Sequence, residues 1–408
     1  NLIDFEDVLL LTVGIIEDDD ALAATIREQY RHFVVDEYQD VSPLQQRLLD
    51  AWLGERDDLC VVGDASQTIY SFTGATSRHL LEFPRRYRGA HTVRLTRDYR
   101  SHSQVVELAN RLLAARRPRP DSTEFSWAPP LKLISQRGPG VESQWFGYTD
   151  DEREAEGIAE QIQDLLEKDG VPASEIAVLF RTNGQSGLLE AALSDRGIPY
   201  QLRGAEQFFD RPEIKQAMLA LRASAKSTDG SENVPRYVRE VLEPLGYTEK
   251  APQSAGAVRQ KWESLAAIVS MVDHLEATRI EDIAQAEAAG APVPHRLTVH
   301  DVVATLAHRL ATQDAPVMEG VTLASLHSAK GLEWDAVFLC GLNEGLMPIT
   351  FAQTSDEIDE ERRLLYVGIT RARKYLWFTW SDSRTAGGRG KRRRSRFLDD
   401  IDPSRQST

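Results

Sequence analysis

The sequence predicts an α/β protein built on parallel sheets, with a helical insertion in its second half. Two apolar runs that end in acids, HFVVDE at 32–37 and LCVVGD at 59–64, flank a helical pattern. Buried strands that are joined by a crossover helix are typical of a parallel sheet. Strand patterns also occur in EIAVLFRTN, VTLASLH, AVFLCGL and YLWFTW, whereas residues 223–315 show helical patterns without strong strands.

The helix between the first two strands has a clear predicted start. Ser42 is a good N-cap, Pro43 suits the first turn, and Gln45 completes a capping box. A second α/β unit is expected to begin near residue 91 with HTVRLTRDYRS. Later, DEIDEERRLLYVGITRAR predicts a helix, and the Gly- and Arg-rich stretch within 386–408 predicts a basic linker or tail.

Composition limits the class of protein. The 408 residues are 41% hydrophobic, which is enough for two or three domains with cores of their own. No run of about 18 apolar residues predicts a membrane span, and the first residues lack the basic region of a signal peptide. With only Cys60 and Cys340, a disulfide framework or zinc site is excluded and a cytoplasmic location is expected. The net charge of −15 argues against a broadly basic surface for nucleic acid, although a groove alone needs positive potential.

An acidic pair, Asp36 and Glu37, follows the first predicted strand. The carboxyl ends of strands are where α/β sheets bind ligands. A carboxylate pair at such a place can hold Mg²⁺ and can align and deprotonate a water for phosphoryl transfer. The alternative is a strand that simply ends in solvated acids.

Five motifs follow one another over about 340 residues. They are VVDEYQDV at 34–41, VVGDASQTIYSFTGA at 61–75, LTRDYRS at 95–101, SLHSAKGLEWDAVFLCGLNEGLMP at 325–348 and EERRLLYVGITRAR at 360–373. In this order they resemble the motifs of superfamily 1 DNA helicases of the UvrD, PcrA and Rep type. The content of Ala, Arg and Asp and the short insertion suggest an actinobacterial member.

The resemblance implies two RecA-like P-loop NTPase domains, the first one incomplete, with a helical insertion in the second. They would bind Mg-ATP in the cleft between them and move 3′-to-5′ along single-stranded DNA. The implied role is in DNA repair or replication restart, and the implied partners are single-stranded DNA and single/double-strand junctions.

The same resemblance assigns residues to the hydrolysis of ATP. Asp36 would hold Mg²⁺, Glu37 would be the general base, and Gln67 would sense the γ-phosphate. Arg100 and Arg371 would bring cations from the second unit, because phosphoryl transfer spreads negative charge over the γ-phosphate oxygens. Arg371 lies seven residues after Leu364 and is therefore expected on the same helical face, turned toward the first unit.

Further residues would bind the rest of the nucleotide. Tyr99 would stack on the adenine, with a tyrosine of the core as the alternative. Glu333 would accept hydrogen bonds from the ribose hydroxyls, and Lys330 and Gly331 would shape the loop that carries it.

Five residues are candidates for DNA contact, and for each of them a structural role is the alternative. Tyr70 and Phe72 lie two apart in an otherwise polar loop, so their rings face the same way if the loop is extended. The family has Trp-Arg where this chain has Phe-Thr, which keeps the stacking surface and loses a cation. Arg181 and Asn183 resemble backbone-contacting residues, and His327 is another candidate.

The phosphate-binding motif G-x-x-x-x-G-K-[ST] does not occur in the sequence. Gly390-Lys391 does not qualify, because an arginine follows it. The resemblance places this loop before Asn1, either in the same polypeptide or in a separate chain. This chain alone is therefore expected to be inactive.

The resemblance also divides the chain into segments. Their expected bounds are 1–18 for the end of an accessory helical domain of the first half, 19–90 for the C-terminal part of the first motor domain, 91–222 and 316–385 for the second motor domain, 223–315 for the helical insertion, and 386–408 for the linker or tail.

Two other functions stay open. One is a non-catalytic nucleotide- or DNA-binding module, which the presence of Glu37, Arg100 and Arg371 together argues against. The other is the motor half of a helicase–nuclease, which would need a nuclease domain beyond Thr408. A phosphate-binding motif upstream of Asn1 would distinguish the enzyme from the module.

Overall fold

The computed structural model describes residues 4–116, 129–203, 211–225, 233–250, 252, 257–290, 292–312, 320–384 and 392–402. Within these ranges the chain forms parallel sheets with helices against them, which confirms the predicted α/β class. Of the predicted segments, 1–18 is described only from residue 4, and 386–408 is described only at 392–402.

The first unit contains the predicted strand–helix–strand arrangement. The strands are parallel, and Val34 of the first lies opposite Cys60 of the second. Its elements are α1 (Phe5–Asp18), α2 (Asp20–Gln29), β1 (Phe33–Val35), α3 (Pro43–Leu53), β2 (Leu59–Val61) and α4 (Arg78–Arg86), with 3-10 turns at Tyr38–Asp40, Ala65–Gln67 and Ser71–Thr73.

The start of α3 is the capping box that the sequence predicts. The hydroxyl of Ser42 accepts from the backbone N–H of Gln45 at 3.3 Å, and the Gln45 side chain accepts from the Ser42 N–H at 2.8 Å. These two bonds satisfy backbone N–H groups at the start of the helix that have no partner within the helix. The apolar side of α3 then packs on α1 and α2 in a small core that includes Val13, Ile16 and Leu48.

The prediction that β1 and β2 are buried strands is wrong for one of their faces. Phe33 stacks on Trp52 of α3, with ring centroids 6.1 Å apart. Val34 points to the opposite side and is 77% exposed, and Val62 after β2 is also exposed. Side chains alternate between the two faces of a strand, and among the described residues helices cover only one of these faces.

A six-stranded sheet of parallel strands forms the centre of the second unit, in the order β5-β10-β9-β6-β8-β7. Its strands are β5 (Gln144–Tyr148), β6 (Ile176–Phe180), β7 (Tyr200–Arg203), β8 (Val321–Ser325), β9 (Trp334–Leu339) and β10 (Ala372–Ser381). The helices against it are α5 (Ser103–Ala114), α6 (Asp151–Glu167), α7 (Ser186–Asp195) and α12 (Ser355–Ile369), with 3-10 turns at Ala173–Glu175 and Asn183–Gln185.

The sheet is covered on both faces, as β6 illustrates. All five of its residues are buried. Ala177 and Leu179 belong to one core, with α5 and α12, while Val178 and Phe180 belong to the core on the other face, with α6 and α7. Continuous apolar strands of this kind are typical of parallel sheets buried on both sides.

The second unit, which was expected to begin near residue 91, has its first strand from Arg97 onward. β3 (Arg97–His102) pairs with β4 (Ile134–Arg137) in a separate two-stranded parallel sheet, and residues 91–96 form no strand. Val93 and Leu95, before this strand, are exposed.

The helical region between β7 and β8 has its own apolar core, which includes Ile214, Leu242, Leu265 and Leu306. The predicted boundary at 222/223 falls inside its first helix, so the structure begins this region at Pro212. No described helix is both long and apolar enough to cross a membrane. The helices are α8 (Pro212–Ala225), α9 (Val234–Leu242), α10 (Ala257–Ala289) and α11 (Val299–Thr312), with a 3-10 turn at Glu243–Leu245.

The expected linker or tail at 386–408 is wrong for residues 392–402, which are folded onto the second unit. They include the short helix α13 (Arg396–Asp399), and Phe397, Leu398 and Ile401 are fully buried in the core beside α12. Ser395 N–H also donates to the carbonyl of Leu342 at 2.8 Å.

Three arginines of this C-terminal segment pair with acids that are distant in sequence or follow in the same segment. Because these partners cannot be seen in the local composition, a paired segment has the appearance of a solvated basic tail. The ion pairs are Arg392–Asp151, Arg394–Asp402 and Arg396–Glu344, each at 2.6 Å.

Glu154 of α6 is a carboxyl group buried beside the ends of β9 and β10. It accepts hydrogen bonds from Gly341 N–H at 2.8 Å and from the hydroxyl of Thr379. Burial raises the pKa of Glu154 to about 7; the two hydrogen bonds oppose this rise, the nearby Asp151 adds to it, and Arg392 counters it.

This raised pKa predicts a stability that falls with pH. Between the ordinary carboxyl pKa of 4.5 and about 7, the folded chain keeps a proton that the unfolded chain releases, so the free energy of unfolding decreases as pH rises. Glu154→Gln retains the accepting oxygen and cannot ionise. Urea unfolding from pH 5 to pH 8 should therefore show the parent losing roughly 2 to 3 kcal/mol relative to this variant. Parallel curves for the two proteins would contradict the burial argument.

Candidate nucleotide and DNA site

The acidic pair lies where the sequence places it, directly after β1. Glu37 adopts a left-handed backbone conformation with φ of 51°, which is uncommon for a residue other than glycine. Its N–H donates to the Asp36 carboxylate at 2.8 Å, and its own carboxylate accepts from the side-chain amide of Gln39. Both acids are exposed, so they face open space beyond the end of the strand.

Gln39 is a site residue that the sequence reasoning missed. It is buried, donates to Glu37, and accepts from the Asp64 N–H at 2.9 Å, so it joins the two loops that follow β1 and β2. A Cβ on Gly63 would meet the Gln39 oxygen at 2.6 Å, so this glycine leaves the room that the bond needs. The position of Gln39 within the motif DEYQD was the feature of the sequence that could have identified it.

Gln67, the predicted sensor, lies on the 3-10 turn after β2. Its side-chain amide donates to the Asp64 carboxylate at 3.2 Å, and Asp64 also caps this turn through the Ser66 N–H at 2.8 Å. Gln67 is partly exposed, on the same side as the acidic loop that Gln39 ties to it.

Lys330, predicted to shape a nucleotide loop, also links the two units. Its ammonium contacts the Asp40 carboxylate, lies 3.3 Å from the Glu37 carboxylate, and donates to the carbonyl of Gln67 at 3.0 Å. Burial raises the pKa of Asp40 more than Lys330 lowers it. Lys330 thus brings the catalytic candidates of the first unit against the loop of the second that carries Glu333.

The two candidate arginines stand in different surroundings. Arg100, on β3, forms an ion pair with Glu333 and is partly exposed. Arg371 is only 3% exposed and donates to the carbonyls of Val367 and Leu332, each at 3.0 Å. Burial lowers the pKa of Arg371 to about 10; Arg100 lowers it further, while Tyr366, Glu333 and Glu37 oppose the change.

The expectation for Arg371 is therefore partly corrected. The side chain is out of water, and Leu364 of α12 is buried as predicted. However, α12 ends at Ile369, so Arg371 lies in the turn before β10 and its direction does not follow from helical spacing. Its hydrogen bonds hold it within its own unit, while Glu37 of the first unit is close enough to act on its charge.

The remaining nucleotide candidates lie near these arginines. Tyr99, next to Arg100, is 66% exposed, so it is not a core tyrosine. Glu333 is shared between Arg100 and Arg373, the second at 3.3 Å. Gly331 has φ of 81°, a backbone conformation that suits glycine.

The DNA candidates Tyr70, Phe72 and His327 form one aromatic cluster, and the loop that carries Tyr70 and Phe72 is not extended. A 3-10 turn at Ser71–Thr73 sets the rings of Tyr70 and Phe72 at 67° with centroids 6.0 Å apart. The Tyr70 hydroxyl donates to the His327 carbonyl at 3.1 Å, and its ring packs on the core of the second unit. Phe72 is 73% exposed and lies edge-on to His327 at 5.8 Å, so it alone of the two rings presents a large free surface.

Arg181 has the structural role that the sequence left open. Its guanidinium binds the buried carboxylate of Glu361 at 2.8 and 3.0 Å. Asn183, at the start of a 3-10 turn, is exposed and open to contact. The pKa of His327 is lowered to about 4, first by burial and then by Arg181, so its ring is neutral at pH 7.

The aromatic cluster yields a prediction for DNA affinity. Phe72→Ala should weaken the binding of single-stranded DNA by roughly 1–3 kcal/mol, because one stacking surface is removed. Tyr70→Phe keeps the packing ring and should have little effect. Fluorescence anisotropy with a labelled thymidine oligonucleotide measures both, and Phe5→Ala, which alters an exposed phenylalanine of α1, is the control. Equal dissociation constants for parent and Phe72→Ala would show that this ring does not meet DNA.

Comparison with known proteins agrees with the five motifs. The model of the UvrD/REP helicase N-terminal domain matches residues 1–88, and that of the UvrD-like helicase C-terminal domain matches 93–241 and 231–383.

Two curated relatives match nearly the whole chain. ATP-dependent DNA helicase UvrD2 of Mycobacterium tuberculosis H37Rv is 50% identical over 407 residues, covering 98% of this chain and 55% of the relative. ATP-dependent DNA helicase PcrA of Leuconostoc citreum is 29% identical over 466 residues, covering 98% of this chain and 61% of the relative. The chain thus spans little more than half the length of these relatives. With both halves of the family pattern matched, the chain belongs to the UvrD-type helicases.

Proposed function

We propose that this chain forms most of an ATP-driven DNA helicase that moves 3′-to-5′ along single-stranded DNA in repair or replication restart. The observation that carries the proposal is the convergence of two sets of side chains. Glu37 and Gln67 of the first unit both contact Lys330 of the second. Glu333 of the same loop pairs with Arg100, and Glu37 is close enough to influence the charge of Arg371.

ATP would lie in this space between the units. Glu37 would take the proton of the attacking water, Gln67 would contact the γ-phosphate, and Arg100 and Arg371 would stabilise the charge that develops on it. The exposed ring of Tyr99 would stack on the adenine, and Glu333, at the loop turned by Gly331, would meet the ribose.

The acids after β1 fit the metal that such a reaction uses. Asp36 and Glu37 offer exposed carboxylates, the ligand type that Mg²⁺ prefers, and Asp36 is the one we assign to it. Bound Mg²⁺ would offset the negative charge of the phosphates. The phosphate-binding loop itself would come from outside this chain, in the same polypeptide or a separate one.

Single-stranded DNA would cross the aromatic cluster, stacking on Phe72 and passing Asn183 and His327. The sites for nucleotide and DNA would then lie on one loop, residues 64–73, with Gln67 and Phe72 on either side of its buried residues Thr68 and Ile69. A single/double-strand junction would be the natural substrate for unwinding. A cytoplasmic location fits the two unpaired cysteines.

This chain by itself is expected to show no DNA-stimulated ATP hydrolysis. Its sequence has no phosphate-binding motif, so neither the backbone cradle nor the lysine for the β- and γ-phosphates is supplied. Phosphate release by purified residues 1–408, with and without single-stranded DNA, is the measurement. Turnover that DNA stimulates, in the absence of any added protein, would contradict the expectation.

The direction of movement is tested with the full-length natural polypeptide that contains this chain. A duplex with a 3′ single-stranded tail should be unwound when ATP is added, whereas the same duplex with a 5′ tail should remain intact. Unwinding of the 5′-tailed duplex alone would reverse the proposed direction. Failure to unwind either substrate, together with ATP hydrolysis that ignores DNA, would overturn the proposed function.

A further inference from the structure

The segment 64–73, here called the sensor loop, belongs to the first unit but is embedded in the second. Ile69 is fully buried in the core that α12 and α5 form, and Thr68 beside it is buried as well. Gln67 and Phe72 lie on either side of this anchored stretch and are more exposed. Contacts that fix Thr68 and Ile69 therefore also fix the positions of Gln67 and Phe72.

Side chains of the second unit form hydrogen bonds with the backbone of this loop at several positions. Lys330 donates to the carbonyl of Gln67 at 3.0 Å, and Arg363 of α12 donates through Nε to the carbonyl of Thr68 at 2.8 Å. Glu360, one turn earlier on α12, accepts from the Ser71 N–H at 3.1 Å and from the Ser71 hydroxyl. Since these bonds are to backbone groups or a hydroxyl, they fix the position of the loop without occupying Gln67 or Phe72.

Arg363 is an unusual side chain for an ordinary structural contact. Among the described residues, no carboxylate lies within ion-pair distance of it, and its hydrogen bond goes to a carbonyl of the other unit. Burial lowers the pKa of Arg363 to about 10, with a further contribution from Arg116, while acids of α12 oppose the change. Burying a cation without a paired acid costs free energy. The hydrogen bond from Arg363 to the sensor loop offsets part of this cost.

We propose that Arg363 is a positioning residue that fastens the sensor loop to α12, so that the nucleotide sensor and the DNA-stacking ring move together with the second unit. The proposal rests on the proposed function, which gives Gln67 and Phe72 their roles. The same helix leads into the turn that carries Arg371. A shift of α12 on nucleotide binding would thus reach the DNA-contacting end of the loop through Arg363 and Glu360.

The test compares neighbouring arginines of α12 in the full-length natural polypeptide. Arg363→Met removes the bond to the loop, because methionine has no donor, and Arg363→Lys keeps a charged donor. Arg362→Met is the matched control, because Arg362 pairs with Asp400 of the C-terminal segment at 2.6 Å and not with the loop. The readout is the ratio of ATP hydrolysis rates with and without single-stranded DNA, which does not depend on the fraction of protein that is folded.

Arg363→Met should lower this ratio by about tenfold, a typical size for coupling between sites. Arg363→Lys should recover part of the ratio, and Arg362→Met should retain it. An unchanged ratio in Arg363→Met would overturn the inference while leaving the proposed function intact. A parent whose hydrolysis ignores DNA would instead overturn the proposed function.

A second measurement tests the hydrogen bond itself if Arg363→Met does not fold. Amide hydrogen exchange can be followed in the full-length natural polypeptide for Arg363→Leu and Arg362→Leu, neither of which keeps a donor. Faster exchange confined to residues 64–73 in Arg363→Leu, and to 392–402 in Arg362→Leu, supports the inference. Equal protection of the sensor loop in both variants overturns it, whether or not the protein hydrolyses ATP.

Discussion

Replacement of Arg371 by alanine in the full-length natural polypeptide is expected to lower ATP turnover by roughly 10³- to 10⁵-fold. The side chain is buried at the boundary between the units, and Glu37 of the first unit acts on its charge. A cation held in low-dielectric surroundings stabilises developing negative charge more strongly than one in water. Steady-state hydrolysis with saturating single-stranded DNA is the measurement, and DNA binding without nucleotide should persist.

The lysine variant separates charge from geometry. Arg371→Lys keeps the positive charge but cannot donate to the carbonyls of Val367 and Leu332 and also present a fork to a phosphate. It should rescue little of the lost turnover.

A control is needed because Arg371 also satisfies buried carbonyls, whose loss of partners costs about 1–3 kcal/mol each. Arg116 is likewise buried in the second unit, and its partner is Asp359, which is not one of the candidate site residues. Arg116→Ala should therefore destabilise the fold and leave the turnover of folded protein close to that of the parent. Normal turnover in Arg371→Ala would contradict the proposed site between the units.

Glu37→Gln is expected to lower turnover by about 10²- to 10⁴-fold while ATP binding stays nearly intact. Glutamine keeps the size of the side chain, can still accept from Gln39, and fits the same left-handed backbone position. What it loses is the capacity to take a proton from water. Hydrolysis and the binding of a fluorescent ATP analogue should be measured on the same preparation.

Asp40→Asn gives the comparison that isolates the base. Asp40 and Glu37 both contact Lys330, so each substitution removes one negative charge from the same lysine. Only Glu37→Gln also removes the proposed base. Equal turnover in the two variants would show that Glu37 matters through Lys330 and not through water.

Much of the fold could be predicted because it depends on local patterns. The capping box at Ser42 and the apolar run of β6 lie within a few residues, where spacing and residue type decide the outcome. The motif loops at Glu37 and Gln67 could be placed for the same reason, since each directly follows a strand.

What could not be predicted depends on partners that are far away in sequence. The ion pair of Arg181 with Glu361 joins residues 180 positions apart, and nothing in the local sequence identifies it. The burial of Phe397 within the C-terminal segment was hidden in the same way by the arginines around it. The contacts of Lys330 with Glu37 and Asp40 join residues about 290 positions apart, so they too could not be read from the motif that contains Lys330.

The most direct test of the account is the rate of ATP hydrolysis by the full-length natural polypeptide, measured with and without single-stranded DNA at low salt. Nucleotide and DNA candidates share the sensor loop, and that loop is fixed to the unit that supplies Arg371. We predict that DNA raises the rate of hydrolysis many-fold and that Phe72→Ala raises the DNA concentration needed for half-maximal stimulation. A rate that is the same with and without DNA would contradict it.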